Sequence, residues 1–175
     1  RRAVKEHVTE AGYTSFEVDM AAGESLFIVA GGGDAAVAAA RRVGGYPFEY
    51  RWDVEFSSPL AESFSTTMYD LKNLSLNDDR RIRFFSGCTT YRSLFEVRKP
   101  AGCDRVELVM REVGTTAKVW INDRYVGGVW AAPYRLDVTD AVRNGMNSIR
   151  IETADTWVNA IVGMMTARSE LMAGG

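Results

Sequence analysis

Four large aromatic residues, Trp120, Trp130, Tyr134 and Trp157, lie close together in the second half of the chain. Each offers a flat apolar face with a polar tip. Such a face stacks on the apolar side of a sugar ring, while neighbouring Asn, Asp or Arg side chains hydrogen-bond the ring hydroxyls. The same residue types also fill cores and domain interfaces, so burial is the competing reading for each. Trp120 is out of phase with Val119 and Ile121, which puts it on the opposite face of its strand from those two.

The rest of the chain offers little catalytic chemistry. His7 is the single histidine, and between Glu6 and Glu10 it reads as part of a charged, solvated segment rather than a metal ligand. A phosphate-binding glycine loop, a G-x-S-x-G elbow, a C-x-x-C pair and an H-E-x-x-H signature are all missing from the sequence. Glycoside cleavage requires two carboxyls facing each other across a sugar bond. Asp78-Asp79 before Arg80-Arg81 reads instead as a solvated loop of mixed charge, and Glu49, Asp53 and Glu55 as the wet face of a strand. No cofactor is implied. A structural calcium would take carboxylates and carbonyls, and Asp53, Asp137 and Asp140 are available for one. Cys88 and Cys103 are the only cysteines. A disulfide between them stays open, with two small buried or half-buried residues on neighbouring strands as the simpler reading.

The bulk properties narrow the partners. The chain has 175 residues, enough for one domain with a sizeable core. Its formal net charge is -2 with both signs interspersed, so no basic stripe exists to neutralise phosphates and nucleic acid is a poor partner. No apolar run is long enough to cross a bilayer. The opening Arg1-Arg2-Ala3-Val4-Lys5 has neither Met nor an apolar leader, and the expectation is an excised segment.

The elements that position these residues are read from alternation of period two. Trp52, Val54 and Phe56 alternate with Asp53 and Glu55; Tyr91, Phe95 and Val97 with Arg92 and Glu96; Val106, Leu108 and Met110 with Arg105 and Glu107. The same holds for Val119 and Ile121 against Lys118 and Asn122, and for Ile149 and Ile151 against Arg150 and Glu152. This is the pattern of strands with one buried face. Many short strands between turn residues predict an all-β sandwich. Asn122-Asp123 predicts a tight hairpin. Thr139 is placed to cap one helical turn, Asp140 to Arg143, that Gly145 closes. Toward the N-terminus, Tyr13–Met20 and Leu26–Ala30 predict a strand pair about a turn at Ala22-Gly23-Glu24. Gly31-Gly32-Gly33 reads as a joint, 34–43 as a helical stretch capped by Asp34, and the tail from Arg168 to Gly175 as frayed. The domain reading is 1–45, the end of an upstream β-domain and linker, followed by 46–175, the sandwich.

Two stretches carry a resemblance. One is Phe85-Ser86-Gly87-Cys88-Thr89-Thr90-Tyr91-Arg92-Ser93-Leu94-Phe95-Glu96-Val97. The other runs from Ala117-Lys118-Val119-Trp120-Ile121-Asn122-Asp123 through Pro133-Tyr134 and Asp137-Val138-Thr139 to Asn144-Gly145-Met146-Asn147. Together they resemble the galactose-binding-like jelly roll found as an accessory domain in large glycoside hydrolases. The likeness is to the sugar-binding domain of family 2, and more so to the C-terminal domain of family 106 α-L-rhamnosidases. Relatives read Trp-x-Asn-Arg-Leu-Ile-Gly-Asp near the end, where this chain has Trp157-Val158-Asn159-Ala160-Ile161-Val162-Gly163-Met164.

The resemblance implies a galactose-binding-like β-sandwich preceded by a β-hairpin left from another domain. It implies a non-catalytic module whose partner is the catalytic domain of the same polypeptide, with an oligosaccharide as a possible ligand, in a periplasmic or secreted enzyme. Trp157 and Asn159 would lie at the final strand, near neighbouring domains. Asn159 thereby joins Trp120, Trp130, Tyr134 and Trp157 as a carbohydrate-binding candidate. Gly127 would allow a close crossing, and Pro133-Tyr134 would anchor the loop entering Asp137–Thr139. An autonomous carbohydrate-binding module and a protein-interaction sandwich are the alternatives; a free-standing enzyme comes last.

Overall fold

The computed structural model of the chain describes residues 7–10, 13–16, 18, 20, 23, 44, 45 and 50–173. Its contacts divide into two units, Arg1–Tyr46 and Pro47–Gly175.

In the first unit, β1 (His7–Glu10) and β2 (Tyr13–Phe16) form an antiparallel hairpin, with His7 opposite Phe16 and Glu10 opposite Tyr13. The hairpin with His7–Glu10 was not foreseen, and the predicted pairing of Tyr13–Met20 with Leu26–Ala30 falls on residues outside those described. In the sequence β1 and β2 are separated by Ala11-Gly12, a two-residue spacing with a glycine that signals a hairpin. Gly23 does sit in a turn, with φ of 77°. Leu26–Ala30, the glycine joint and the 34–43 stretch lie outside the described residues.

The second unit holds β3 (Trp52–Ser58), β4 (Ala61–Met68), α1 (Arg80–Arg83), β5 (Cys88–Val97), β6 (Glu107–Val109), β7 (Thr116–Ile121), β8 (Arg124–Val129), β9 (Arg135–Asp137), β10 (Gly145–Ala154) and α2 (Val158–Ala173). Six strands make one antiparallel sheet in the order β4-β3-β5-β10-β7-β8, and β6 pairs with β9 in a second, two-stranded sheet. The alternation dictates the burial. Trp52, Val54 and Phe56 are buried between exposed Asp53 and Glu55, and Ala117, Val119 and Ile121 are buried on β7. With Phe95, Val129, Ile149 and Ile151 these side chains form the core. Phe56 stacks on Phe64 at 4.6 Å and meets Phe85 edge-on at 4.9 Å. Burying each such side chain contributes roughly 1.5–3 kcal/mol.

The hairpin between β7 and β8 turns on Asn122 and Asp123, with φ of 50° and 64°, as the residue types predicted. Two amides, half-buried Asn122 and buried Asn147, tie this turn to β10. Asn122 Nδ2 donates to Ala141 O (2.9 Å) and Asn147 Oδ1 (2.8 Å), while Asn122 Oδ1 accepts from Ser148 N (3.0 Å). Asn147 Oδ1 also accepts from Arg143 N, and its Nδ2 donates to Arg143 O and Gly145 O, so all four hydrogen-bonding positions of this buried amide are filled. Gly127 has φ of 146°, and a Cβ there would stand 3.0 Å from Leu136 Cδ2, the close crossing foreseen for it.

Several readings are corrected. Residues 139–141 form a single turn, closed by Ala141 N and Val142 N donating to Val138 O (3.0 Å each), but the cap comes from Asp137 rather than Thr139: Asp137 Oδ1 accepts from Thr139 N (3.0 Å) and Thr139 Oγ1 (2.6 Å). Asp79 is not loose: its side chain caps α1 by accepting from Arg81 N at 2.9 Å. Cys88 is exposed on β5, and Cys103 lies in an irregular segment after β5, its Sγ donating to Arg105 O at 3.3 Å; both are free thiols. The tail from Arg168 is not frayed over most of its length, because α2 runs to Ala173 and Glu170 forms a bidentate pair with Arg80 at 2.9 and 3.1 Å.

Candidate functional site

The five candidate residues occupy three separate places. Trp120 is half-buried on the outer face of the six-stranded sheet, with the Arg150 guanidinium 3.8 Å above its ring and Tyr125 5.2 Å away. One face of this indole is therefore already stacked. Tyr134 packs against the core, and its carbonyl accepts from Met110 N at 2.9 Å, so it positions the loop entering β9.

Trp130 and Trp157 belong together by topology. Trp130 follows β8, whose Val129 pairs with Ala117 at the start of β7; Thr116 pairs with Ala154, the last residue of β10, and Trp157 comes three residues later. Both tryptophans thus leave the sheet at the same end. Trp130 is 76% exposed and Trp157 47%. Neither Trp157 nor Asn159 lies on a strand: the final strand ends at Ala154, Trp157 opens α2 with its carbonyl accepting from Ile161 N, and Asn159 is half-buried in the first turn of that helix.

At this same end sits Asp155, its N–H bonded to Gly87 O at 2.9 Å. Burial raises its carboxyl above the ordinary 3.8. Burial, with the Asp155 charge beside it, pushes the Tyr91 phenol up to about 12. This is a desolvated acidic corner rather than an assembled acid–base pair.

Sequence reasoning missed a row across the outer face. Cross-strand pairing sets Thr67, Asp53, Arg92, Arg150, Trp120 and Tyr125 side by side on one face over six strands. The signal was present, since each of Asp53, Arg92, Arg150 and Trp120 is out of phase with the buried residues of its own strand. A shallow groove of about 360 Å³ lies at one end of the row, lined by Asp53, Val54, Glu55, Ser65, Thr66, Thr67 and Arg92. Its carboxylates are already engaged: Glu55 pairs with Arg92 at 3.0 Å and Asp53 with Arg51 at 2.8 Å. Arg150 pairs with Glu152. The surface can hydrogen-bond a polyhydroxylated ligand, but it does not present two free carboxyls across a gap.

The carboxylates named for a calcium are in part engaged elsewhere. Asp137 has Oδ1 on Thr139 and Oδ2 on Arg105 (3.1 Å), Asp53 is paired, and among the described residues no three His, Cys, Asp or Glu side chains come together.

Fold and site together define an antiparallel β-sandwich with aromatic residues at one end and a polar, ion-paired outer sheet face. The chain belongs to the glycosyl hydrolase 2 galactose-binding domain-like family, whose model matches residues 64–167. Its fold is the all-β, galactose-binding-like sandwich that the alternation and the resemblance predicted. A protein of Formosa agariphila named as a candidate β-glucuronidase is 35% identical over 114 residues, covering 64% of this chain and 10% of that protein. The solved structure of a rhamnosidase from Novosphingobium sp. PP1Y is 34% identical with a TM-score of 0.62, covering 73% of this chain and 12% of the rhamnosidase. The chain thus spans about a tenth of the length of each.

Proposed function

We propose that this chain is a non-catalytic accessory module of a glycoside hydrolase, a sandwich that packs beside the catalytic domain of the same polypeptide. The observation that carries the reading is one of proportion: the match spans a single sandwich domain, and that domain is about a tenth of each relative. The ion-paired carboxylates of the outer face support it, because neither Asp53 nor Glu55 stands free to act on a sugar bond. The two relatives carry different activities in their names at nearly equal identity. The rhamnosidase, 34% identical over 73% of this chain, supports a rhamnosidase-like parent in keeping with the family 106 resemblance.

A carbohydrate-binding role of its own is the second reading, favoured by the exposure of Trp130 and its place beside Trp157 at one end of the sheet. One experiment separates these readings. Hydrolysis of nitrophenyl α-L-rhamnoside and β-D-glucuronide is measured for the chain and for the complete polypeptide that carries it. The chain is also titrated calorimetrically with rhamnose- and galactose-containing oligosaccharides. Turnover is expected from the complete polypeptide alone, with no binding heat at millimolar sugar. Turnover by the chain itself overturns the accessory reading, and binding that Trp130→Ala abolishes makes the second reading the correct one.

A further inference from the structure

Helix α2 is inverted. A helix lying on a β-sandwich ordinarily turns its apolar stripe inward and its polar face to water. Here the stripe at the spacing of one helical face, Asn159, Gly163, Thr166 and Glu170, is the one turned to the body. Gly163 is the only buried residue of the helix, and a Cβ there would stand 2.7 Å from Phe84 Cβ. Ala160 N donates to Ser86 Oγ at 3.0 Å, and Glu170 pairs with Arg80. The opposite stripe is apolar and faces water: Val158 is 59% exposed, Ile161 53%, Met165 68% and Met172 70%, with Met164 and Leu171 exposed alongside. These side chains lie together on one side of the helix, and contiguous exposed apolar surface of more than a few hundred Å² marks an interaction face. The inward contacts are a close glycine approach, one hydrogen bond and an exposed ion pair of the kind that contributes little. Covering the outward stripe is where this helix has most to gain.

We propose that the outward face of α2 is the docking surface for the catalytic domain of the same polypeptide, and the proposal rests on the accessory-module reading. The occupant is chosen by two observations. First, the domain makes up about a tenth of each of two relatives more than 30% identical to it, so in those proteins most of the polypeptide lies outside it. Second, Arg168 lies within the apolar stripe and is exposed, while the nearby carboxylate, Glu170, is turned to Arg80. A two-fold contact sets the same patch against itself. Such self-pairing would bring a cation into an apolar contact without an anion to meet it. The partner face is therefore apolar at its centre, with a carboxylate opposite Arg168. The methionines give the stripe the adaptable side chains that suit such a contact.

Methionine footprinting tests this. The chain and the complete polypeptide are treated with hydrogen peroxide, and oxidation of Met164, Met165 and Met172 is followed by mass spectrometry. Met146, exposed on the outer sheet face, is the internal reference. The three α2 methionines should oxidise about tenfold more slowly in the complete polypeptide, with Met146 unchanged, because oxidation follows exposure. Equal rates in both forms would overturn the proposal. Protection within the chain alone that disappears on dilution would make a second copy the occupant and overturn it as well. Glycosidase turnover is measured on the same preparation. An active polypeptide with unprotected methionines removes this inference and leaves the accessory reading standing, whereas protection without turnover removes the catalytic domain as the occupant.

Discussion

Asn147 shows how much one side chain can carry. Its amide fills all four of its hydrogen-bonding positions inside the fold, holding Arg143, Gly145 and the Asn122 turn in one cluster. Replacing it with Ala leaves those groups buried without partners, at about 1–3 kcal/mol for each group that water cannot reach. Asn147→Ala should therefore lower stability by about 3 kcal/mol or more in urea unfolding, an amount that a solvated turn residue would not show. Asn122 was legible as a turn former, because positive φ is a local property of the residue. That its amide reaches Asn147 and Ala141 was not, since the partners lie 25 and 19 residues away. The aromatic candidates follow the same division. Their types were readable, but only the fold makes Trp130 exposed, stacks Arg150 on Trp120 and sets Tyr134 against the core.

Among the elements, the strands were largely legible and the helices were not. A strand announces itself by alternation, and β3, β5, β7 and β10 bury the residues that alternation selects. Helix α2 gives no such sign, because its apolar residues surround most of the helix and its inward stripe is small and polar. Its docking depends on Gly163 accepting Phe84 at a distance no side chain would permit. Gly163→Ala should raise the intrinsic helicity of the segment, since Ala favours helix by roughly 1 kcal/mol over Gly, yet push the helix off the sandwich. Hydrogen exchange is expected to quicken across α2 while the amides of β5 and β10 keep their protection. A variant that melts higher with unchanged exchange would mean that the Gly163–Phe84 contact does not hold the helix.

For the molecule as a whole, charge and burial set the response to pH. The hydrogen bonds from Arg81, Thr139 and Arg80 hold the carboxyls of Asp79, Asp137 and Glu170 below their ordinary values. A lowered folded-state value stabilises above the ordinary one, so these contributions are present at neutral pH and are lost as the pH falls below about 4. They are mostly exposed and therefore small. Asp155 acts in the opposite sense. Burial raises its value above 3.8, so its favourable contribution is complete below that pH and lost as the pH rises through the raised value. Asp155→Asn should then raise the melting temperature at pH 7 and leave it unchanged below the ordinary aspartate value of 3.8. A variant that melts lower at pH 7 would show the carboxylate to be held by a favourable contact.

The sequence by itself determined the all-β class, the strand phases, the Asn122–Asp123 hairpin and the family resemblance. Each depends on neighbours a few residues apart, where side-chain direction and backbone preference act. The tertiary structure alone decided which aromatics are exposed, how Arg92, Arg150 and Trp120 come to share one row, and which way α2 faces. Those outcomes depend on contacts between distant positions, such as Gly163 with Phe84 or Arg92 with Arg150, and the balance of burial among them is settled only when the strands have paired.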